Sequence, residues 1–223
     1  MTRKKLRIAL GATLQKRISK DSKGGTEIFA YLLAQKLVQR GHRVTVFASS
    51  ESKVPGRLFA MGREQEINRT EQSQRLFHGY QLLESQRIVE QQKAFDVIHI
   101  NYFESFLFAP FSRLIKKPVA YSVHSDLFHS SAWQKLVNQM AKPSDRFVFV
   151  SKNAYHHARA LRHKTYIYNG VDHEQFPFSP SHKNYFLWFG RVKEKKGLRE
   201  AMMAARRSGH AFFGAGVIDS PDG

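Results

Sequence analysis

The sequence has no cysteine. That excludes a disulfide framework, a thiolate metal site and a cysteine nucleophile together. Nor does any uninterrupted apolar run reach the roughly 18 residues that would span a bilayer. The start, MTRKKLRIALGA, passes from a basic tip straight into a strand-like segment with no apolar stretch and cleavage site of a secretion signal. A cytoplasmic location is expected. Acidic residues are also scarce: 36 Lys and Arg face 18 Asp and Glu, a formal balance of +18. Residues 1–50 hold eleven basic side chains against Asp21 and Glu27. Such a surface attracts nucleic acid, anionic lipid headgroups or phosphorylated small molecules, and charge alone does not choose among them. The aromatic pattern of a recognised nucleic-acid module is absent.

What is present is a rhythm. Short runs rich in Val, Ile, Phe and Tyr alternate with helical patterns, as in a parallel sheet covered on both faces. Strands are predicted at Leu6–Leu10, Arg43–Ala48, Asp96–Ile100, Val119–Val123, Arg146–Val150, Thr165–Tyr168, Tyr185–Phe189 and Ala211–Phe213. Between the first two, Ile28, Phe29, Leu32, Leu33 and Leu37 mark one helix face, and Gly41 supplies the stop. Residues 61–94 read as a surface loop followed by a long amphipathic helix with a narrow stripe of Leu76, Tyr80, Leu83 and Ile88. Pro177 and Pro180 mark the expected domain boundary. The 39 residues from 185 to 223 hold one strand, helix, strand unit, too little for an independent domain. The expected organisation is therefore a first domain at 1–176, a linker at 177–184, and an incomplete second domain at 185–223.

Chemistry concentrates at the ends of these strands. Gly24 and Gly25 close the loop after the first strand and open a helix, where free backbone N–H groups and the helix dipole favour an anion. A tight turn with Thr26 as helix cap accounts for the same glycines equally well. His99 and His124 stand at the carboxyl ends of successive strands, which in an open parallel sheet border the ligand crevice. His156, His157 and His163 have helical spacing but no accompanying carboxylate, and read as a surface helix rather than a metal site. Ser151 follows a strand and reads as a helix cap. Arg191, Lys195 and Lys196 follow the strand YFLWF, where a guanidinium and an ammonium could clamp a diphosphate or form a solvated basic turn.

Six segments in order resemble glycosyltransferase family 4, the retaining GT-B sugar transferases. They are GGTEIFAYLLAQKLVQRGHRVTVFA at 24–48, FDVIHIN at 95–101, PVAYSVHSD at 118–126, FVSKNA at 149–154, YNGVDHEQF at 168–176 and FGRVKEKKGLREAMMAA at 189–205. The resemblance implies an α/β fold: a Rossmann-like doubly wound parallel sheet as the acceptor-side domain, with the opening of a second Rossmann-like domain that binds the donor. It implies transfer of a sugar from a nucleotide-diphosphate sugar to a saccharide or lipid-linked acceptor, in cell-envelope polysaccharide synthesis, with retention and without a bound metal or cofactor. Gly24, Gly25, Arg191 and Lys196 would bind the donor diphosphate, His124 would contact the transferred sugar, and His99 would support the cleft. Lys16, Arg17, Lys20 and Lys23 would face the acceptor or an anionic membrane at its inner face.

Two departures qualify the resemblance. Ser125 stands where the family commonly has a glycine, and the family's paired-glutamate motif has no equivalent before Gly223. The chain is expected to be a truncated transferase, weakly active or inactive alone, with a homo-oligomer through the incomplete unit as one outcome. The other function class to weigh is a non-catalytic basic module for anionic glycan, lipid or nucleic acid.

Overall fold

The computed structural model describes residues 4–64, 71–102, 104–124, 126–176, 178–181 and 183–218; Ser125 and Pro177 lie outside the described residues. The chain divides into two compact units, Met1–Val171 and Asp172–Gly223.

The first unit is built on β1 (Arg7–Ala12), β2 (Arg43–Ala48), β3 (Arg57–Ala60), β4 (Val97–Asn101), β5 (Val119–Val123), β6 (Arg146–Phe149) and β7 (Lys164–Tyr166). Its sheet has the order β3-β2-β1-β4-β5-β6-β7, and every neighbouring pair is parallel. The direction of strand succession reverses between β1 and β4, which defines the switch point of a doubly wound Rossmann-like sheet. The α-helices among the described residues are α1 (Gly25–Gln39), α2 (Glu71–Glu90), the single turn α3 (Ala109–Ser112), α4 (Ser131–Met140) and α5 (Lys152–His157).

Why these segments form strands follows from burial on both faces. Ile8, Leu10 and Ala12 alternate with Ala9 along β1, and all four are buried. Ala9 packs in a cluster with Phe47, Ile88 and Phe95, while Leu10 and Ala12 pack with Ala30 and Ala34 of α1. The buried face of α1 therefore carries small residues that let helix and sheet approach closely, flanked by Leu33 and Leu37. Ile28, expected on that face, is exposed, and the neighbouring Phe29 instead meets His124. Gly41 takes a positive φ of 84° directly after the helix, as a left-handed stop requires.

Two sequence expectations are corrected. Strand β3 was not anticipated: its pattern RLFA is a half-buried edge of four residues, too short for alternation to register. Gly56, at φ 91°, precedes it, and a Cβ there would lie 2.5 Å from the Val44 carbonyl oxygen. The long helix α2 forms where expected, and the expected stripe covers only part of its inward face: Ile88 is buried and Tyr80 and Leu83 are half-buried. Leu76 is exposed, and among the described side chains of α2 the buried ones are Phe77, Gln81, Glu84, Ser85 and Ile88. Three of those five are polar, so a stripe read from apolar residues alone missed most of the buried positions.

The second unit contains β8 (Tyr185–Phe189), α6 (Leu198–Ser208) and β9 (Ala211–Ala215). The two strands pair in parallel across the helix, the smallest α/β crossover. Glycines with positive φ bracket α6, Gly197 at its start and Gly209 at its end. Trp188 Nε1 donates to the Lys196 carbonyl at 2.9 Å and anchors the loop after β8. Phe186, Leu187 and Phe189 are exposed within the chain.

Candidate active site

Parallel strands place ligand-facing residues at their carboxyl ends, and the register identifies which side chains share a face. In β1 and β4, Leu10 is paired with His99 and Ala12 with Asn101; His99 is paired with Ala120 of β5. Residues two apart on a strand point the same way. His99, Asn101 and Ser122 therefore share the α1 side of the sheet, and His124 just beyond β5 joins them.

The contacts follow that pattern. His124 Nε2 lies 3.0 Å from Asn101 Oδ1, and His99 Nε2 lies 2.8 Å from Ser122 Oγ. Phe29 of α1 meets the His124 ring edge-on at 5.1 Å between centroids. Burial pushes the His124 imidazole down to about 4. The His99 ring is also pushed down to about 4, by burial first and by the neighbouring His124 second. Both rings are neutral at pH 7, so this cluster offers hydrogen-bonding groups and no cation.

His99 proves to be the third of five residues in β4, not its last. The strand end belongs to Asn101, which the sequence reading passed over. Its role depends on the β4–β5 register, and no local pattern announces that.

Gly24 and Gly25 sit at the start of α1. Gly24 is the N-cap, in an extended conformation, and no side chain caps the helix. The first-turn N–H groups thus have no intrahelical partner, and their dipole favours an anion. The two glycines differ in surroundings. A Cβ on Gly25 would meet nothing within 4 Å, whereas one on Gly24 would fall 1.9 Å from Glu27 Oε2. The Glu27 carboxylate therefore lies over Gly24, and a phosphate approaching that glycine must displace it.

Lys16, Arg17, Lys20 and Lys23 are all exposed on the loop from β1 to α1. Ser151 caps α5, its Oγ accepting from the Ala154 N–H at 3.1 Å. His156 and His157 end α5, while His163 lies beyond it with a left-handed φ of 49°.

Beneath the loop's first residue, a second polar group is buried between β1 and α2. Glu84 is fully buried, and its Oε1 accepts from the Ala12 N–H at 3.2 Å. Burial holds its carboxyl well above the usual range. A buried carboxylic acid with no cation beside it stays protonated.

Arg191 and Lys196 belong to the second unit. Both are exposed in the segment between β8 and α6, at the carboxyl end of the strand and next to the helix start. That placement suits an anion within this unit.

A Rossmann-like parallel sheet with polar side chains gathered at its carboxyl edge, followed by a second α/β unit with cations after its first strand, is the architecture of a GT-B transferase. Residues 23–175, more than half of the chain, match the model of Glycosyltransferase Family 4. The chain belongs to glycosyltransferase family 4. No curated protein matches it. Among solved structures it is similar to Alr3699/HepE from Anabaena in complex with UDP and glucose, at 15% identity and a TM-score of 0.54 over 95% of this chain and 70% of that one. The same protein with UDP-glucose matches at 16% identity, with the same TM-score and coverage. AviGT4, a glycosyltransferase of avilamycin A biosynthesis, matches at 18% identity and a TM-score of 0.59, over 97% of this chain and 58% of AviGT4. Among the described residues no helix is long and apolar enough to cross a membrane.

Proposed function

We propose that the chain is the acceptor-side domain and the opening of the donor-binding domain of a retaining transferase. It would move a sugar from a nucleotide-diphosphate sugar to a saccharide or lipid-linked acceptor of the cell envelope. The observation that carries this reading is the joint placement, at the carboxyl edge of the first sheet, of an uncapped helix start and the His124–Asn101 pair. In the transfer, the bond between the anomeric carbon and the diphosphate oxygen breaks. A bond to an acceptor oxygen forms on the same face of the sugar, and the acceptor proton is released.

Negative charge grows on the leaving diphosphate. In the first unit, the first-turn N–H groups of α1 beside Gly24 and Gly25 suit such a charge without a metal; in the second unit, the side chains of Arg191 and Lys196 do. His124, neutral and oriented by Asn101, hydrogen-bonds the transferred sugar. His99 holds the floor of the cleft through Ser122. Lys16, Arg17, Lys20 and Lys23 offer a cationic approach for an anionic acceptor or membrane headgroups.

Titration with UDP-glucose by calorimetry, paired with an assay for UDP release, tests the reading. Residues 1–223 are expected to bind weakly and turn over little. Arg191→Ala with Lys196→Ala should abolish the binding. Binding unchanged by those substitutions, or by His124→Ala, would refute the assignment.

A further inference from the structure

At the opposite edge of the first unit's sheet, where the strands begin, lies a cavity of about 420 Å³ that the transferase reading does not use. Its polar walls come from Arg7, His42, Arg43, Thr45, Arg57 and Gln91. The register explains their convergence. Arg7 is paired with Arg43, and Arg57 with Thr45, two residues on from Arg43. The three arginines therefore occupy one face of three adjacent strands, with the Arg43 and Arg57 backbones about 8 Å apart by strand spacing and rise.

Their charges are not balanced. Arg7 donates to Asp96 from Nη2 at 2.8 Å and from Nε at 3.3 Å, and the same carboxylate accepts a third bond from the Arg7 backbone N–H. Arg43 and Arg57 have no side-chain hydrogen bond or ion pair among the described residues. His42 Nδ1 accepts from the Leu6 N–H at 3.1 Å, which leaves Nε2 as the nitrogen that carries a proton and can donate. Val38 and Phe95 supply an apolar part of the lining.

We propose that this cavity is a binding site for a phosphomonoester, with the phosphate between Arg43 and Arg57 and its organic substituent against Val38 and Phe95. Forked guanidinium donors match phosphate oxygens in geometry. A phosphomonoester carries about −1.5 to −2 at neutral pH, which balances the two uncommitted arginines; a carboxylate would leave one unbalanced. The volume falls within the usual range for small-molecule sites. The monoester can be a soluble metabolite or a lipid headgroup of the phosphatidic acid type, since both present the same group.

The test uses the full chain at physiological salt, where loose attraction of polyanions to a basic surface is screened. Phenyl phosphate is the soluble probe. Phosphatidylcholine vesicles doped with phosphatidic acid are the lipid probe, set against vesicles of equal charge made with phosphatidylglycerol, a diester. Saturable binding of phenyl phosphate is expected to weaken about tenfold or more in Arg43→Gln/Arg57→Gln. It should persist in Lys135→Gln/Lys152→Gln, which removes the same charge from other exposed positions. Lysine at both arginine positions should keep only part of the affinity. A second readout needs no variant: phenyl phosphate should protect Arg43 and Arg57 from phenylglyoxal, scored by peptide mass spectrometry. Phosphatidic acid-selective vesicle binding that the arginine substitutions remove identifies a lipid source; phenyl phosphate binding without it identifies a soluble one. Failure to bind either probe saturably, equal losses in the two double variants, or no protection of the two arginines would overturn the proposal.

Discussion

Asn101 Oδ1 receives the Nε2 proton of His124 at 3.0 Å, and that bond joins the end of β4 to the residue just beyond β5. It fixes the ring so that Nδ1 is its acceptor. The ring's low affinity for a proton, at about 4, comes from burial. Replacing the amide by a carboxylate sets the opposite condition. Asn101→Asp should raise the His124 titration midpoint, because a facing negative charge favours the imidazolium. Two-dimensional NMR of the histidine ring protons across pH 3 to 8 measures it, and an unmoved midpoint would show that the pair is not formed in solution.

The same cluster sets a stability window. For His99 and His124 the folded pKa, about 4, lies below the ordinary 6.5. Between those values the unfolded chain binds more protons than the folded one, so stability falls as pH drops through this range. His99→Gln and His124→Gln should each flatten the decline in Tm between pH 6.5 and 4. A slope equal to that of the parent protein would contradict the burial argument.

Glu84 has the opposite sign. Its folded pKa is raised, so the neutral acid is no burden below the ordinary carboxyl range, and stability is lost as pH rises above that range toward the folded value. Glu84→Gln keeps an oxygen for the Ala12 N–H and removes the ionisation. Thermal melting should show the variant more stable than the parent at pH 8 and equal near pH 4. For a chain of this size each 1 kcal/mol corresponds to about 2–4 °C in Tm. A variant less stable at every pH would mean that Glu84 is ionised and paired.

These residues show why the fold was legible and the site only partly so. Strands buried on both faces announce themselves as continuous apolar runs, and β2 and β5 begin and end where the pattern predicts, as does β8, an apolar run that is largely exposed within the chain. The Gly24–Gly25 loop and Ser151 carry local chemistry that a linear reading catches. Asn101 and Ser122 acquire their contacts only through strand register. Gln81 and Glu84 are buried polar groups on α2 that a search for apolar periodicity rejects by construction. The cavity at Arg43 and Arg57 depends on a strand, β3, that was not anticipated.

Packing beneath the site yields a further expectation. The Tyr121 and Phe147 rings stack at 4.7 Å, and the Tyr121 hydroxyl donates to Asp145 Oδ2 at 3.1 Å. Asp145 is itself buried. Tyr121→Phe retains the stack but withdraws a partner from a buried carboxylate, a loss of about 1–3 kcal/mol. Urea denaturation should show that drop with an unchanged m-value, and a drop under a few tenths of a kcal/mol would place the carboxylate in contact with water.

Substitutions at Gly25 and Glu27 separate the proposed anion site from the helix that would carry it. Gly25→Ala meets no atom within 4 Å, and at a helix position an alanine should raise stability by about 0.4–1 kcal/mol by restricting the unfolded chain. The same methyl stands where a diphosphate would approach the backbone, so UDP-glucose binding should weaken while Tm rises. Glu27→Gln removes the carboxylate lying over Gly24 and should strengthen binding of the same ligand by reducing charge repulsion. Calorimetry and melting on the two variants provide both readouts. If Gly25→Ala binds as well as the parent, or Glu27→Gln binds less well, the phosphate does not sit at this helix start, and the glycines serve the turn alone.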